Sequence, residues 1–267
     1  MGWVETIARI RALCAEVGFD LDNVRASIIE RMQLLSEHSE TVADGARMIA
    51  RAWQIFGYYE RAKPAQAFTE LERRIVVLGC LFSDIGKSGP VGANADGQAL
   101  IAEMFAVEGV PEETQTVAQF FVRYFPADAA ERTRRFEVLG LEPTLTMRQF
   151  WNLHSTWTLE IGEAGALPPE VIAGAATHHL LDDINPAAIV AEDRCFTRPF
   201  GDNARFDRAE KLIILLDKYD ALRRRGHRTH EAAILWLRNR VHENPQFRGD
   251  VEFSMLISDL DAVARTG

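Results

Sequence analysis

Apolar residues recur every three or four positions along most of the chain, which is the spacing of one face of an α-helix. In the first such stretch, residues 3–17, this face carries Ile7, Ile10, Leu13 and Cys14. No alternating apolar run is long enough to predict a sheet, so the expected fold class is all-α. The same period predicts further helices over residues 24–35, 36–61, 71–82, 99–108, 111–126, 147–161, 169–179, 208–224, 230–241 and 251–264.

Two stretches interrupt the helical pattern. Residues 86–97 contain Pro90 and several glycines, and residues 182–206 contain Pro186 and Pro199. Both compositions are typical of loops, because proline removes a backbone donor and glycine weakens a helix.

The charge and cysteine content narrow the class of protein. The 267 residues have a formal net charge of −9, whereas binding to a DNA backbone needs a basic face that neutralises phosphates. No apolar run predicts a membrane span or a signal peptide. Cys14, Cys80 and Cys195 lie far apart, so we expect reduced thiols in a cytoplasmic protein. The charge and the lack of a long apolar run predict that the protein binds neither DNA nor a membrane.

Two carboxylates stand in unusual places. Asp84 follows the apolar residues 76–82, and Asp217 follows residues 212–216. A buried carboxylate needs a counter-charge or a metal, because an unpaired buried charge is expensive. Imidazoles from other helices could join them and form a site for a borderline divalent metal. The histidines that stand out are His38, His154, His178 and His179.

Each of these signals also has an ordinary structural interpretation. A lone histidine such as His38 is more often a surface residue. Asp217 could pair with Arg208 or Lys211, and Asp84 with Lys87. One further cluster is interpreted as core in preference to a base-stacking platform: Phe120, Phe121, Tyr124 and Phe125.

The order of these pieces resembles the HD-domain superfamily and, within it, the HD-GYP branch. That pattern has a helical histidine, the run His-Asp-Ile-Gly-Lys, a single histidine, a His-His pair, and an aspartate in an apolar helix that ends Asp-Ala-Leu. The pieces of this chain that resemble this pattern are, in order, His38, the run Ser83-Asp84-Ile85-Gly86-Lys87, His154, His178-His179, and residues 217–222.

The resemblance covers roughly residues 30–240 and implies a domain division. Residues 36–245 would form an HD-like helical bundle, with a helical insertion at 93–146. Residues 1–35 would form N-terminal helices packed on this core, and 246–267 a C-terminal helix. The insertion would cap the pocket or mediate a homodimer.

The resemblance also implies roles for individual residues. Asp84 would be the catalytic, metal-bridging carboxylate. His38 and Asp217 would hold one metal, and His154 with His178 or His179 would hold the other. Iron, manganese, nickel and zinc all suit such ligands, at one or two ions per chain. Substrate phosphate would be contacted by Lys87, Arg225 and Arg228.

This sequence departs from the family pattern at several positions. Ser83 replaces the motif histidine, and a hydroxyl is a far poorer ligand than an imidazole. Of the Gly-Tyr-Pro loop only Pro186 survives, and Leu34 stands where a carboxylate could support a third metal. Asp84 and His154 are also further apart than is usual for this branch.

Together these observations predict a divalent-metal-dependent phosphohydrolase. Specifically, we expect a phosphodiesterase that uses a metal-activated water on a small phosphate-containing ligand, such as a cyclic dinucleotide or a related nucleotide. The alternative, indicated by Ser83 and the altered loop, is a catalytically degenerate HD-domain module that binds a ligand or partner in signalling. A di-iron oxygenase is a third chemistry found on this fold.

Overall fold

The computed structural model describes residues 2–107, 110, 112–182, 184, 203–245 and 247–266. Within these ranges the chain forms α-helices and short 3₁₀ turns and no strand, which confirms the predicted all-α class. In chain order the helices are α1 Trp3–Glu16, α2 Ala26–His38, α3 Thr41–Ala62, α4 Glu70–Phe82, α5 Ala95–Ala106, α6 Val117–Tyr124, α7 Ala129–Val138, α8 Met147–Ala164, α9 Pro169–Ala176, α10 Asn203–Arg224, α11 His230–Glu243 and α12 Val251–Thr266.

The predicted single helix over residues 36–61 is wrong at its beginning. Helix α2 continues to His38, and α3 begins only at Thr41. Between them Ser39 is extended, with φ −152° and ψ 172°, and its Oγ accepts a hydrogen bond from the Thr41 backbone N–H at 3.4 Å. Such local bonds compete with a continuous helix. His38 therefore ends one helix and does not open the next.

Other predicted boundaries are also wrong, for example the beginnings of α6 and α10. Helix α6 begins at Val117, where Thr116 and Gln119 form a capping box, and not at residue 111. Helix α10 begins at Asn203, inside the stretch 182–206 that the sequence predicts as loop. Pro186 and Pro199, on which that loop prediction rests, lie outside the described residues.

Helix α4 lies at the centre of the core and packs against α3, α9 and α10. A Cβ on Gly79 would lie 2.3 Å from Ile213 Cδ1, and one on Gly174 would lie 2.7 Å from the same atom. These glycines therefore allow α4, α9 and α10 to approach closely. The apolar residues of α4 that are fully enclosed by these contacts are Ile75, Val76, Val77, Leu78 and Phe82.

One buried cation holds the loop that follows α4. The Arg31 side chain, on α2, donates hydrogen bonds of 2.9–3.1 Å to the carbonyls of Ser88, Gly89, Pro90 and Val91. Burial lowers the pKa of this guanidinium to about 10, so it stays charged at neutral pH. The loop that carries Lys87 is thus fixed to α2 by a side chain distant in sequence.

Replacing this cation should destabilise the protein. In an Arg31→Met variant several carbonyls lose a charged donor, which we expect to lower the free energy of unfolding by about 2–4 kcal/mol. Urea denaturation followed by circular dichroism measures the change. The exposed Arg9, on α1, provides the control, since Arg9→Met should change stability by less than about 0.5 kcal/mol. Equal stabilities of the two variants would contradict the assigned role of Arg31.

The predicted helical insertion contains α5, α6 and α7. Phe120 and Phe121 are fully buried and, with Tyr124 and Phe125, contact one another. The interpretation of this aromatic cluster as core is therefore confirmed. Helices α1 and α12 add residues to the same core. The division into parts at 1–35, 36–245 and 246–267 stays a prediction.

The two described cysteines, Cys14 and Cys80, are buried free thiols. Burial raises the pKa of Cys14 to about 12, so this thiol is unreactive at neutral pH. Cys195 lies outside the described residues. No helix in the described ranges is both long enough and apolar enough to cross a lipid bilayer.

Candidate metal centre

Four side chains from three parts of the fold converge at the end of α4. Asp84 follows α4, His154 lies in the middle of α8, and His178 and His179 follow the end of α9. One potential ligand atom of each lies within 4.8 Å of the others. Three imidazoles and one carboxylate in this arrangement could hold a divalent metal ion.

The two most buried histidines direct their Nε2 atoms to the same point. The ring N–H at His154 Nδ1 donates to the Trp151 carbonyl, and that at His178 Nδ1 donates to the Ala175 carbonyl at 2.6 Å. These bonds place a proton on Nδ1, so Nε2 of each ring carries a lone pair when the imidazole is neutral. The two Nε2 atoms are 3.3 Å apart, and they lie 3.4 Å and 3.5 Å from Asp84 Oδ1.

Three acceptor atoms that face one another across 3.3–3.5 Å repel unless a proton or a cation lies between them. Two oxygens nearby, Asp84 Oδ1 and Asp217 Oδ2, are buried and accept no hydrogen bond from any residue that the structure describes. Buried polar atoms of this kind require an explanation, and an unseen cation is one of the standard ones. The donor set therefore fits a metal ion.

The charges around Asp84 keep this carboxylate ionised. Burial raises its pKa, but Lys87 and the imidazoles of His154 and His178 outweigh burial and hold the pKa well below its usual range. Burial lowers the pKa of His154. At His178 burial has the same direction, but Asp84 and Asp217 reverse it, so the His178 pKa is raised. A proton and a metal would thus compete for the His178 Nε2 lone pair.

Lys87 is bound directly to the centre. Its Nζ lies 2.6 Å from Asp84 Oδ2, and both side chains are about nine-tenths buried. The ordinary interpretation, in which Asp84 pairs with Lys87, therefore holds for one carboxylate oxygen. The other oxygen, Oδ1, faces the histidines.

Asp182, which the sequence analysis does not select, orients His179. The His179 Nδ1 atom lies 3.1 Å from Asp182 Oδ2, and Lys218 donates to the same oxygen. Burial, followed by the charge of His178, lowers the His179 pKa well below its usual value. A carboxylate behind a ligating imidazole is a common feature of metal sites. The signal that could have found it is the i, i+3 spacing of the two residues.

Asp217 lies at the edge of the cluster, with Oδ2 4.0 Å from His179 Nδ1. The alternative in which Asp217 pairs with Arg208 or Lys211 is wrong. Arg208 binds Glu72 at 2.6 Å, and Lys211 binds Asp250 at 2.9 Å. Both cations thus pair with other carboxylates, and the contact that the structure gives Asp217 is the one with His179.

His38 and Ser83 do not belong to the four-residue group. His38 Nδ1 lies 3.7 Å from Glu103 Oε1 on α5. The Ser83 hydroxyl donates to the Cys80 carbonyl at 3.3 Å, so it bonds back to its own helix. Metal ligation by His38 stays a prediction.

A cavity of about 1060 Å³ opens above the centre. His38, Lys87, His154, His179 and Arg225 reach it, whereas Arg228 is exposed and is not among its described lining residues. One part of the wall is apolar and aromatic and another is cationic. The apolar part is formed by Phe105, Ala106, Val107, Val110 and Trp151, and the cationic part by Lys87, Arg148, Lys218, Arg224 and Arg225. Three carboxylates line the cavity among these cations, namely Glu40, Asp44 and Asp182.

Comparison with protein-family models, with curated proteins and with solved structures finds no match to this chain. The geometry of the centre and its cavity is therefore the basis for any statement about function.

Proposed function

We propose that the protein is a divalent-metal-dependent phosphohydrolase, and specifically a phosphodiesterase acting on a cyclic dinucleotide or a related nucleotide. The observation that carries this proposal is the convergence of Asp84 Oδ1 with the Nε2 atoms of His154 and His178 beneath a cavity with cationic walls. A metal centre next to an anion-attracting cavity is the arrangement that phosphoester hydrolysis needs.

The ligand set suits a borderline ion such as iron, manganese, nickel or zinc, because it combines imidazole nitrogens with carboxylate oxygen. Lys87 Nζ already contacts Asp84 Oδ2 at 2.6 Å, so that oxygen is not free to bridge to a second metal. We therefore expect one ion per chain. The residues that would hold it are Asp84, His154, His178 and His179, with Asp217 beside them.

When bound, such an ion lowers the pKa of a coordinated water and neutralises charge on the phosphoryl oxygens. Side chains of the cavity wall would bind and orient the phosphoryl group. Lys87 is positioned by Asp84 and reaches the cavity, so its ammonium can donate to a phosphoryl oxygen as a point charge. Arg225 can offer two parallel N–H donors to the same group.

The apolar wall supports a nucleotide as the substrate class. Phe105 and Trp151 line the cavity, and the Phe105 ring lies 5.5 Å from the His154 ring. Aromatic faces beside a phosphate site allow a base to stack, which is worth about 1–3 kcal/mol per base.

A second candidate function is favoured by Ser83 and Lys87. Ser83 supplies no ligand, since its hydroxyl bonds to the Cys80 carbonyl, and Lys87 neutralises Asp84 without any metal. Both features would suit a catalytically degenerate module that binds a phosphate-containing ligand in signalling. Such a module would keep the cationic wall and lack stoichiometric metal.

The test is hydrolysis of bis(4-nitrophenyl) phosphate by protein supplied with Mn²⁺, Fe²⁺, Ni²⁺ or Zn²⁺, with metal content measured on the same samples. We expect about one ion per chain and turnover that a chelator abolishes. Absence of both metal and turnover, with phosphate binding retained, would favour the binding module.

A histidine pair provides the matched variants for this assay. His178→Gln removes a buried ligand nitrogen and should lower kcat at least about 100-fold. His242→Gln changes an exposed histidine on α11 and should leave both kcat and metal content unchanged. Wild-type turnover by the His178 variant would rule out the proposed centre.

A further inference from the structure

Asp44, on α3, is a buried carboxylate that receives three guanidinium groups. Its side chain is about one-tenth exposed, and it borders the large cavity. Arg47 donates to Oδ1, whereas Arg224 and Arg225 both donate to Oδ2. Asp44 therefore joins α3 to the end of α10 through the two arginines that face the cavity.

The three arginines are not equivalent. Arg224 lies close to Asp44 Oδ2 and also has Asp220 Oδ2 at 3.4 Å and Glu40 Oε2 at 3.5 Å. Arg225 makes a longer contact with Asp44, 3.3 Å, which is its one ion pair to a carboxylate among the described residues. Arg225 is thus the member that an incoming anion can engage at the lowest cost.

The position of Arg225 connects this cluster with the metal centre. Its side chain is 52% exposed and lies within electrostatic reach of Asp84 and Asp217. Glu40 and Asp220 also contact Arg47 and Arg224. Those two guanidinium groups are therefore balanced by further carboxylates, whereas Arg225 relies on Asp44. Arg224 and Arg225 both line the cavity, beside the place where the proposed reaction would hold a phosphoryl group.

We infer that Asp44 is a positioning residue that holds Arg225 beside Arg224, so that the two form an anion clamp for the phosphoryl group of the substrate. Without this carboxylate Arg224 keeps Glu40 and Asp220, but Arg225 loses its carboxylate partner among the described residues. The paired fork geometry that suits a phosphate is then lost. The inference rests on the proposed function for the identity of the ligand. The cationic clamp itself, however, can be tested with inorganic anions.

The experiment measures binding of inorganic phosphate and pyrophosphate by calorimetry, together with KM and kcat for the chromogenic diester. Arg225→Gln and Asp44→Asn should each weaken anion binding and raise KM by about ten-fold, while kcat changes less than about three-fold. The double variant should be no weaker than Arg225→Gln alone, because Asp44 acts through Arg225. A merely structural role of Asp44 would give additive losses.

Asp220→Asn is the matched control. It removes the same charge from a carboxylate that contacts Arg47 and Arg224 but not Arg225, so anion affinity should stay within about two-fold of wild type. If Asp44→Asn does not fold, Asp44→Glu replaces it. The longer side chain should displace Arg225 and raise KM by about three-fold with kcat unchanged.

The outcomes separate this inference from the proposed function. Anion binding that depends on Asp44 and Arg225 in a protein without hydrolysis would support the clamp and overturn the hydrolase. Hydrolysis whose KM is unaffected by the Asp44 variants would overturn the clamp and keep the hydrolase. Equal losses in Asp220→Asn and Asp44→Asn would also overturn it, since they would indicate a general charge effect.

Discussion

Asp84→Asn should abolish stoichiometric metal binding and lower diester hydrolysis by about a thousand-fold or more. Asp84 Oδ1 is the atom to which the Nε2 atoms of His154 and His178 are directed. An amide oxygen has the same shape but lacks the negative charge that balances a divalent ion. The change therefore removes the charged ligand while preserving the packing.

The same substitution should also destabilise the metal-free protein. Lys87 Nζ is buried against Asp84 Oδ2 at 2.6 Å, and removal of one partner leaves a buried charge uncompensated. We expect the free energy of unfolding to fall by about 3–5 kcal/mol. Urea denaturation of chelator-treated protein measures this change, and elemental analysis of folded protein measures the metal.

Asp128→Asn provides the control for both measurements. Asp128 pairs with Arg132 at 2.9 Å, but its side chain is 47% exposed, so the expected loss of stability is below about 1 kcal/mol. Metal content should equal that of wild type. If Asp84→Asn retained a full equivalent of metal, the assignment of Asp84 as the central ligand would be wrong.

Gly86→Ala should destabilise the protein by at least about 3 kcal/mol. A Cβ on Gly86 would lie 1.9 Å from the His154 carbonyl oxygen and 2.7 Å from the Thr158 backbone nitrogen. Because both atoms belong to the backbone of α8, no rotamer change can make room. The turn after α4 would have to move away from α8, and with it Asp84 from His154.

Two hydrogen bonds show how closely this turn fits. The Gly86 N–H donates to Thr158 Oγ1 at 3.1 Å, and the Thr158 hydroxyl donates to the Ser83 carbonyl at 3.0 Å. Displacement by a methyl group would break both. We therefore expect metal binding in Gly86→Ala to be lost together with stability.

Gly92→Ala, in the same loop, is the matched control, because a Cβ there meets nothing within 4 Å. Its free energy of unfolding should lie within about 1 kcal/mol of the wild-type value. Urea denaturation curves of the two variants, measured side by side, give both free energies of unfolding. Similar midpoints would show that the turn is not held against α8 as described.

Local patterns in the sequence predict much of this molecule. The helical period predicts the all-α class, and the helices predicted over residues 71–82 and 147–161 lie close to α4 and α8. The apolar run before Asp84 indicates a buried carboxylate, and the structure places that carboxylate at 7% exposure. These features depend on residues close in sequence, so they can be recognised without the fold.

Other features depend on residues that the sequence separates widely. Arg31 holds the loop at Ser88 across 57 positions, and Asp44 meets Arg224 across 180. No local period connects such pairs, because they depend on how the helices pack. Helix packing likewise determines that Arg208 pairs with Glu72 and not with Asp217.

The sequence by itself determined which chemical groups the protein has and near which helices they lie: Asp84 after a buried helix, His154 within another, and the His178-His179 pair close to the end of a third. Only the tertiary structure decided that these four meet within 4.8 Å, while His38 turns to Glu103. The physical reason is that side-chain type sets which interactions a residue can make. Close packing of α4, α8, α9 and α10 sets which partners it reaches.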